Sequence, residues 1–173
     1  MKFLNLTLII MGLQVSEYTE LAKDRTHEWN MKPGVTVCGN SGVSASRASR
    51  ALKYWERLGY EFDYVRYDDS VACAVPRYGE IIITLPDQKF NFGDHLASTR
   101  LTISNKTKEI VKAKISIFPN SANKERVLEH EIGHALGWPH INQLYHIMNS
   151  NWHTGGHNSS GLKLKLFYKN YID

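Results

Sequence analysis

The sequence is poor in cysteine. It has only Cys38 and Cys73, and neither belongs to a Cys-x-x-Cys pair, so a cysteine-based zinc site is not expected. The two are either buried free thiols or, in an exported chain, one disulfide. No apolar run is long enough for a membrane-spanning helix of the mature fold. The chain also lacks internal repeats, low-complexity tracts and Pro/Gly-rich linkers. Its 173 residues therefore read as one domain able to bury a hydrophobic core. Charge is not concentrated either. A net charge of +4 is scattered from Lys2 to Lys169, with a thin "KLK" cluster at Lys163, and nucleic-acid binders usually gather such charge on one face. No nucleic-acid partner is expected.

Residues 1–16, "MKFLNLTLIIMGLQVS", carry Lys2 and then an apolar stretch, the outline of a secretory signal peptide. Asn5 and Thr7 interrupt that stretch, and "LNLTLII" also reads as a first strand. The expected organisation is a signal over 1–16, a polar lead-in over 17–34 and a single domain over 35–173. A signal at 1–16 implies a secreted or extracytoplasmic protein.

Residues 35–38 form a short strand opened by the Pro-Gly turn before it. Over 44–58, Ala48, Ala51, Leu52, Trp55 and Leu58 recur at helical spacing, with Ser44 as cap and Gly59 at the end. "FDYVRYDD" alternates as a half-buried strand does. "EIIITLP" is a β-branched run suited to a central strand covered on both faces. Residues 95–104 and 109–119 read as two more strands joined by "NKTK". "FNFGD" (Phe90 to Asp94) reads as a loop. A second long helix is expected over 123–137, capped by Asn120, Ser121 or Asn123, and a last short helix from Ser159. The fold class is α/β (α+β), with a mixed sheet rather than a regular βαβ array.

The chemistry lies in "VLEHEIGHALGWPHINQLYHIMNSNW", residues 127–152. His130 and His134 are four apart, so both imidazoles leave one helix face. Two nitrogens on a rigid turn suit tetrahedral Zn2+, whose catalytic sites take three protein ligands. Glu131, directly after the first histidine, is placed to act as general base on a zinc-bound water. Gly137 can end the helix through a left-handed cap and return the chain so that His140 becomes the third ligand. Pro139 is consistent with a helix that has ended. Met148 follows in "HIMNS". His146 is left as a loop residue or a support behind the ligands, and Trp152 as either core or pocket wall. His153 and His157, and separately His95 and Asp94, suggest further metal loops, but neither shows a full ligand set.

"HEIGHALGWPH" is the pattern H-E-x-x-H-x-x-G-x-x-H. With a following methionine turn it resembles the metzincin zinc endopeptidases. The order of elements is nearest to matrixin-like catalytic domains. The resemblance implies a zincin-like fold: a twisted five-stranded mixed sheet, its one antiparallel strand on the cleft edge, an active-site helix, a Met-turn and a C-terminal helix. It implies one catalytic Zn2+ on His130, His134 and His140, with Glu131 catalytic and Met148 an apolar floor that does not bind metal. By the same resemblance residues 95–104 are the edge strand, which pairs with an extended protein or peptide substrate. A monomer is expected. Ile141 after the third histidine matches no familiar family of the clan. Ser150 stands where astacin-like and serralysin-like proteins carry a metal-reaching tyrosine. The same motif would serve a zinc hydrolase of a non-protein amide such as a cell-wall peptide, or a catalytically silent zinc-stabilised binding module.

Overall fold

The computed structural model describes residues 25–87 and 95–164. The expected signal region, the loop "FNFGD" and the end of the expected last helix lie outside them. Five strands form one mixed sheet: β1 (Gly34–Cys38), β2 (Val65–Asp68), β3 (Glu80–Thr84), β4 (Ala97–Ile103) and β5 (Ile110–Ile117). Their order is β2-β1-β3-β5-β4. β1 runs parallel to β2 and β3, and β3 parallel to β5. β4 alone is antiparallel. It lies on an edge of the sheet, with Thr99 opposite Ile115 and Ala97 opposite Ile117. The mixed five-stranded α+β architecture expected from the sequence is present.

Helix α1 (Ala45–Glu56) begins where Ser44 accepts the Arg47 N–H, an N-cap that satisfies one of the free donors of the first turn. Its apolar stripe, Ala48, Ala51, Leu52 and Trp55, packs on Val35 and Val37 of β1 and Ile81 and Ile83 of β3. β3 is buried along its whole length, as the β-branched run required. On the other face of the sheet, the Glu80 carboxylate accepts from Tyr64, Arg66, Thr36 and the Arg77 N–H, so no bond of this buried group is left unmade. Cys38 and Cys73 form a disulfide, which ties the end of β1 to the β2–β3 connection.

The second long helix differs from expectation. Of the expected 123–137, only 127–135 is helical. A single turn, α2 (Pro119–Ala122), precedes α3 (Val127–Ala135). Arg126 sits at φ 68°, a left-handed conformation that an α-helix cannot pass through, and none of the expected side-chain caps is used. Arg126 lies with its guanidinium 5.2 Å from the Trp152 ring centre, and the Trp152 N–H donates to Glu125 O. The start of α3 therefore coincides with a long-range contact to Trp152. Trp152 is 37% exposed and is not a core residue. At the other end of the chain, residues 159–164 form turns where a helix was expected.

α3 is held against α1 by a buried ion pair. Arg47 meets Glu129 through two parallel bonds, the first 2.7 Å long, while the Trp55 N–H donates to Glu129 O. A doubly bonded guanidinium–carboxylate pair is the geometry that tolerates desolvation. α3 also contacts β4 and β5. It is thus fixed on three sides before any ligand is considered. No helix among the described residues is long and apolar enough to cross a membrane.

Candidate metal centre

α3 ends in a Schellman motif. The Gly137 N–H donates to His134 O at 2.9 Å and the Trp138 N–H to Gly133 O at 3.0 Å, with Gly137 at φ 96°. This is the glycine cap anticipated in the sequence. A Cβ on Gly137 would also collide with the backbone oxygen of His27. That contact belongs to a strap the sequence did not reveal. Thr26 donates to Gly137 O from both its N–H and its hydroxyl at 3.0 Å, the Trp29 N–H donates to Ala135 O at 2.8 Å, and Trp29 bridges to Ile110. Part of the polar lead-in is therefore built into the turn after α3.

The turn brings His140 back to His130 and His134, and the three offer ring nitrogens that all lie within 4.8 Å of one another. His134 Nε2 is 3.0 Å from His130 Nε2 and 3.1 Å from His140 Nε2. The tautomers follow from the other nitrogens. His130 Nδ1 lies 2.7 Å from Ile147 O and His134 Nδ1 2.8 Å from Trp138 O. A carbonyl can only accept, so both Nδ1 atoms carry the proton and both Nε2 atoms present lone pairs. Two lone pairs facing each other at 3.0 Å repel unless a cation lies between them. Four-coordinate zinc at about 2.05 Å from each nitrogen needs roughly 3.3 Å between nitrogens, close to the spacing here. The residues fit a zinc ion, and the carbonyl behind each helix ligand is the support such ligands require.

Electrostatics agree. Burial lowers His130 to about 4, with smaller contributions from His140 and His146. Burial and then the neighbouring His130 lower His134 to about 3. His140, more open, is lowered by burial and then by His95. All three are neutral at physiological pH, the form that binds metal.

Glu131 is buried on α3. Thr99 of β4 donates its hydroxyl proton to Glu131 Oε2 at 2.6 Å and also lies 3.1 Å from Glu131 O. Burial raises this carboxyl to about 7, and the Thr99 bond opposes the rise. Met148 is fully buried beneath α3. A Cβ on Gly133 would strike both its sulfur and the Trp55 ring, so only glycine allows the methionine this close to the helix. His146 is buried as well, with Nδ1 accepting from the Met148 N–H and Nε2 donating to Ser160 O. Among the described residues His95, His153 and His157 join no second metal cluster, and Asp94 lies outside them.

The sequence did not single out Thr99, Gly133, Thr26 or Trp29. Gly133, the small residue inside the histidine pair, was the one signal available. Compared with known protein families and with curated proteins, the chain matches none.

Proposed function

We propose that this protein is a zinc-dependent endopeptidase of the metzincin type, with His130, His134 and His140 as zinc ligands and Glu131 as general base. The observation that carries the reading is the convergence of three neutral Nε2 atoms, two of them locked as lone-pair donors by backbone carbonyls. When bound, zinc supplies Lewis acidity that polarises a carbonyl and makes water more acidic. His130 and His134 contribute ligands that need not first lose a proton. Glu131, whose carboxyl burial raises, is the group that would take a proton from water and return it to a leaving amine. Thr99 holds that carboxylate and, lying on β4, links it to the strand that would bind substrate. β4 is an edge strand, and an extended polypeptide can add to such an edge by main-chain pairing. Met148 takes the part of the apolar floor. The Cys38–Cys73 disulfide supports an extracytoplasmic setting.

A second reading has an observation in its favour. The Glu131 carboxylate is buried and already engaged by Thr99, as it would be in a zinc-stabilised binding module that does no chemistry. Hydrolysis of a non-protein amide would use the same groups as the leading reading. One experiment separates the three. The purified zinc protein is incubated with denatured proteins and with peptidoglycan fragments, with and without a chelator, beside Glu131→Gln. Chelator-sensitive cleavage of proteins that Glu131→Gln abolishes while retaining zinc is the expected result. Cleavage of the peptidoglycan peptide alone would replace the substrate class. Stoichiometric zinc with no cleavage of either would leave the binding module.

A further inference from the structure

We infer that His146 is a positioning residue for the metal centre, holding the Ile147–Met148 peptide so that the Ile147 carbonyl meets His130. The inference rests on the reading of His130 as a ligand. The two ends of this one peptide unit are held by two histidine rings. Its N–H, on Met148, donates to His146 Nδ1 at 3.0 Å, and its C=O, on Ile147, accepts from His130 Nδ1 at 2.7 Å. Because His146 Nδ1 accepts, the ring proton sits on Nε2, which donates to Ser160 O at 3.1 Å. The peptides on either side are fixed by backbone bonds, Ile147 N–H to Asn158 O and Ile141 N–H to Met148 O, both 2.8 Å. Between them, the 147–148 peptide depends on the rings.

All three hydrogen bonds run in one direction. His130 donates to the peptide, the peptide to His146, and His146 to Ser160. Bonds aligned this way polarise one another, and here they draw the proton side of His130 away from the metal and enrich its Nε2 lone pair. His134 does not need such a partner. Its carbonyl belongs to the Trp138–Pro139 peptide, which has no N–H to anchor and is fixed by the proline ring and by the Schellman bond of Trp138. The asymmetry explains why one ligand has a buried histidine behind it and the other does not.

Three variants divide the two functions of the His146 ring. His146→Asn retains a short side-chain acceptor that can take the Met148 N–H and loses the donor to Ser160. His146→Gln retains a donor reaching Ser160 and loses the near acceptor. His146→Leu loses both. Zinc affinity, measured by chelator competition, should stay within about threefold of wild type for His146→Asn. It should fall about tenfold or more for the other two, with a shifted visible spectrum after cobalt substitution. The metal-free protein gives an independent readout. The His130 Nδ1 proton should persist in nitrogen-15 NMR spectra of wild type and His146→Asn and exchange away in His146→Gln and His146→Leu. If His146→Leu does not fold, the Asn and Gln pair still decides. His146→Gln equal to or better than His146→Asn in both readouts would overturn the proposal. A wild-type protein that binds no zinc would instead defeat the metal-centre reading, and the NMR difference would still judge the positioning role.

Discussion

Replacing Gly137 by alanine tests whether the turn after α3 assembles the metal centre. Two costs are combined at this position. The first is backbone strain: a residue with a Cβ at φ 96° pays about 1–2 kcal/mol relative to glycine. The second is collision with the His27 backbone, which is relieved only if the strap withdraws. Withdrawal breaks the two Thr26 bonds to Gly137 O and the Trp29 bond to Ala135 O, at about 1 kcal/mol each. The sum is roughly 4–5 kcal/mol. Gly161 supplies an internal control, because it has φ 79° but a Cβ there would meet nothing within 4 Å. Gly161→Ala should show the strain alone, about 1–2 kcal/mol. Urea unfolding of the zinc-free proteins, followed by tryptophan fluorescence, measures both. Zinc competition should then show weakened binding in Gly137→Ala, whose turn carries His140, and ordinary binding in Gly161→Ala. Equal destabilisation by the two substitutions, with zinc affinity intact in both, would refute the argument that this glycine shapes the site.

Removing one partner of the Arg47–Glu129 pair leaves a buried charge unmet. Arg47→Met should cost about 3–5 kcal/mol in urea, and the double variant Arg47→Met/Glu129→Leu should cost less than Arg47→Met alone. The depressed histidines predict an acid-side loss. From about pH 6.5 down to about 4 for His130 and about 3 for His134, the unfolded chain takes up protons that the folded rings do not. The histidines' contribution to the stability of the zinc-free protein is therefore complete above that window and lost as pH drops through it. It is offset in part by Glu131, which gains its proton in the folded state already near pH 7. Urea midpoints at pH 7.5 and pH 5 should show the fall in wild type and a smaller one in His130→Gln/His134→Gln. The disulfide closes a sequence separation of 35 residues, and its loss in Cys38→Ser/Cys73→Ser should cost about 3–4 kcal/mol, measured by urea unfolding under non-reducing conditions.

Much of the fold was legible because its codes are local. The stripe Ala48, Ala51, Leu52 and Trp55, the Ser44 cap and the run Ile81 to Ile83 each declare an element within a few residues, and all appear. α3 was misjudged at its start. Nothing in "NKERV" shows that Arg126 will turn left-handed, because that conformation accompanies a stack on Trp152, which is 26 positions away. The final helix was read from the composition of residues 159–171, yet residues 159–164 are used as anchor points for Tyr60 and His146.

Helix geometry makes one part of the site readable from the chain alone: His130 and His134 on one face, and a glycine three residues later that ends the helix and frees His140 to return. The groups that stand behind these ligands are set by packing between distant segments. Thr99 reaches Glu131 across 32 positions, the Trp29 N–H reaches Ala135 across 106, and His146 fixes the peptide that orients His130. Periodicity and caps act over one or two turns of chain and can be read there. A buried donor's partner is chosen by the packing of distant segments, and no local pattern carries that choice.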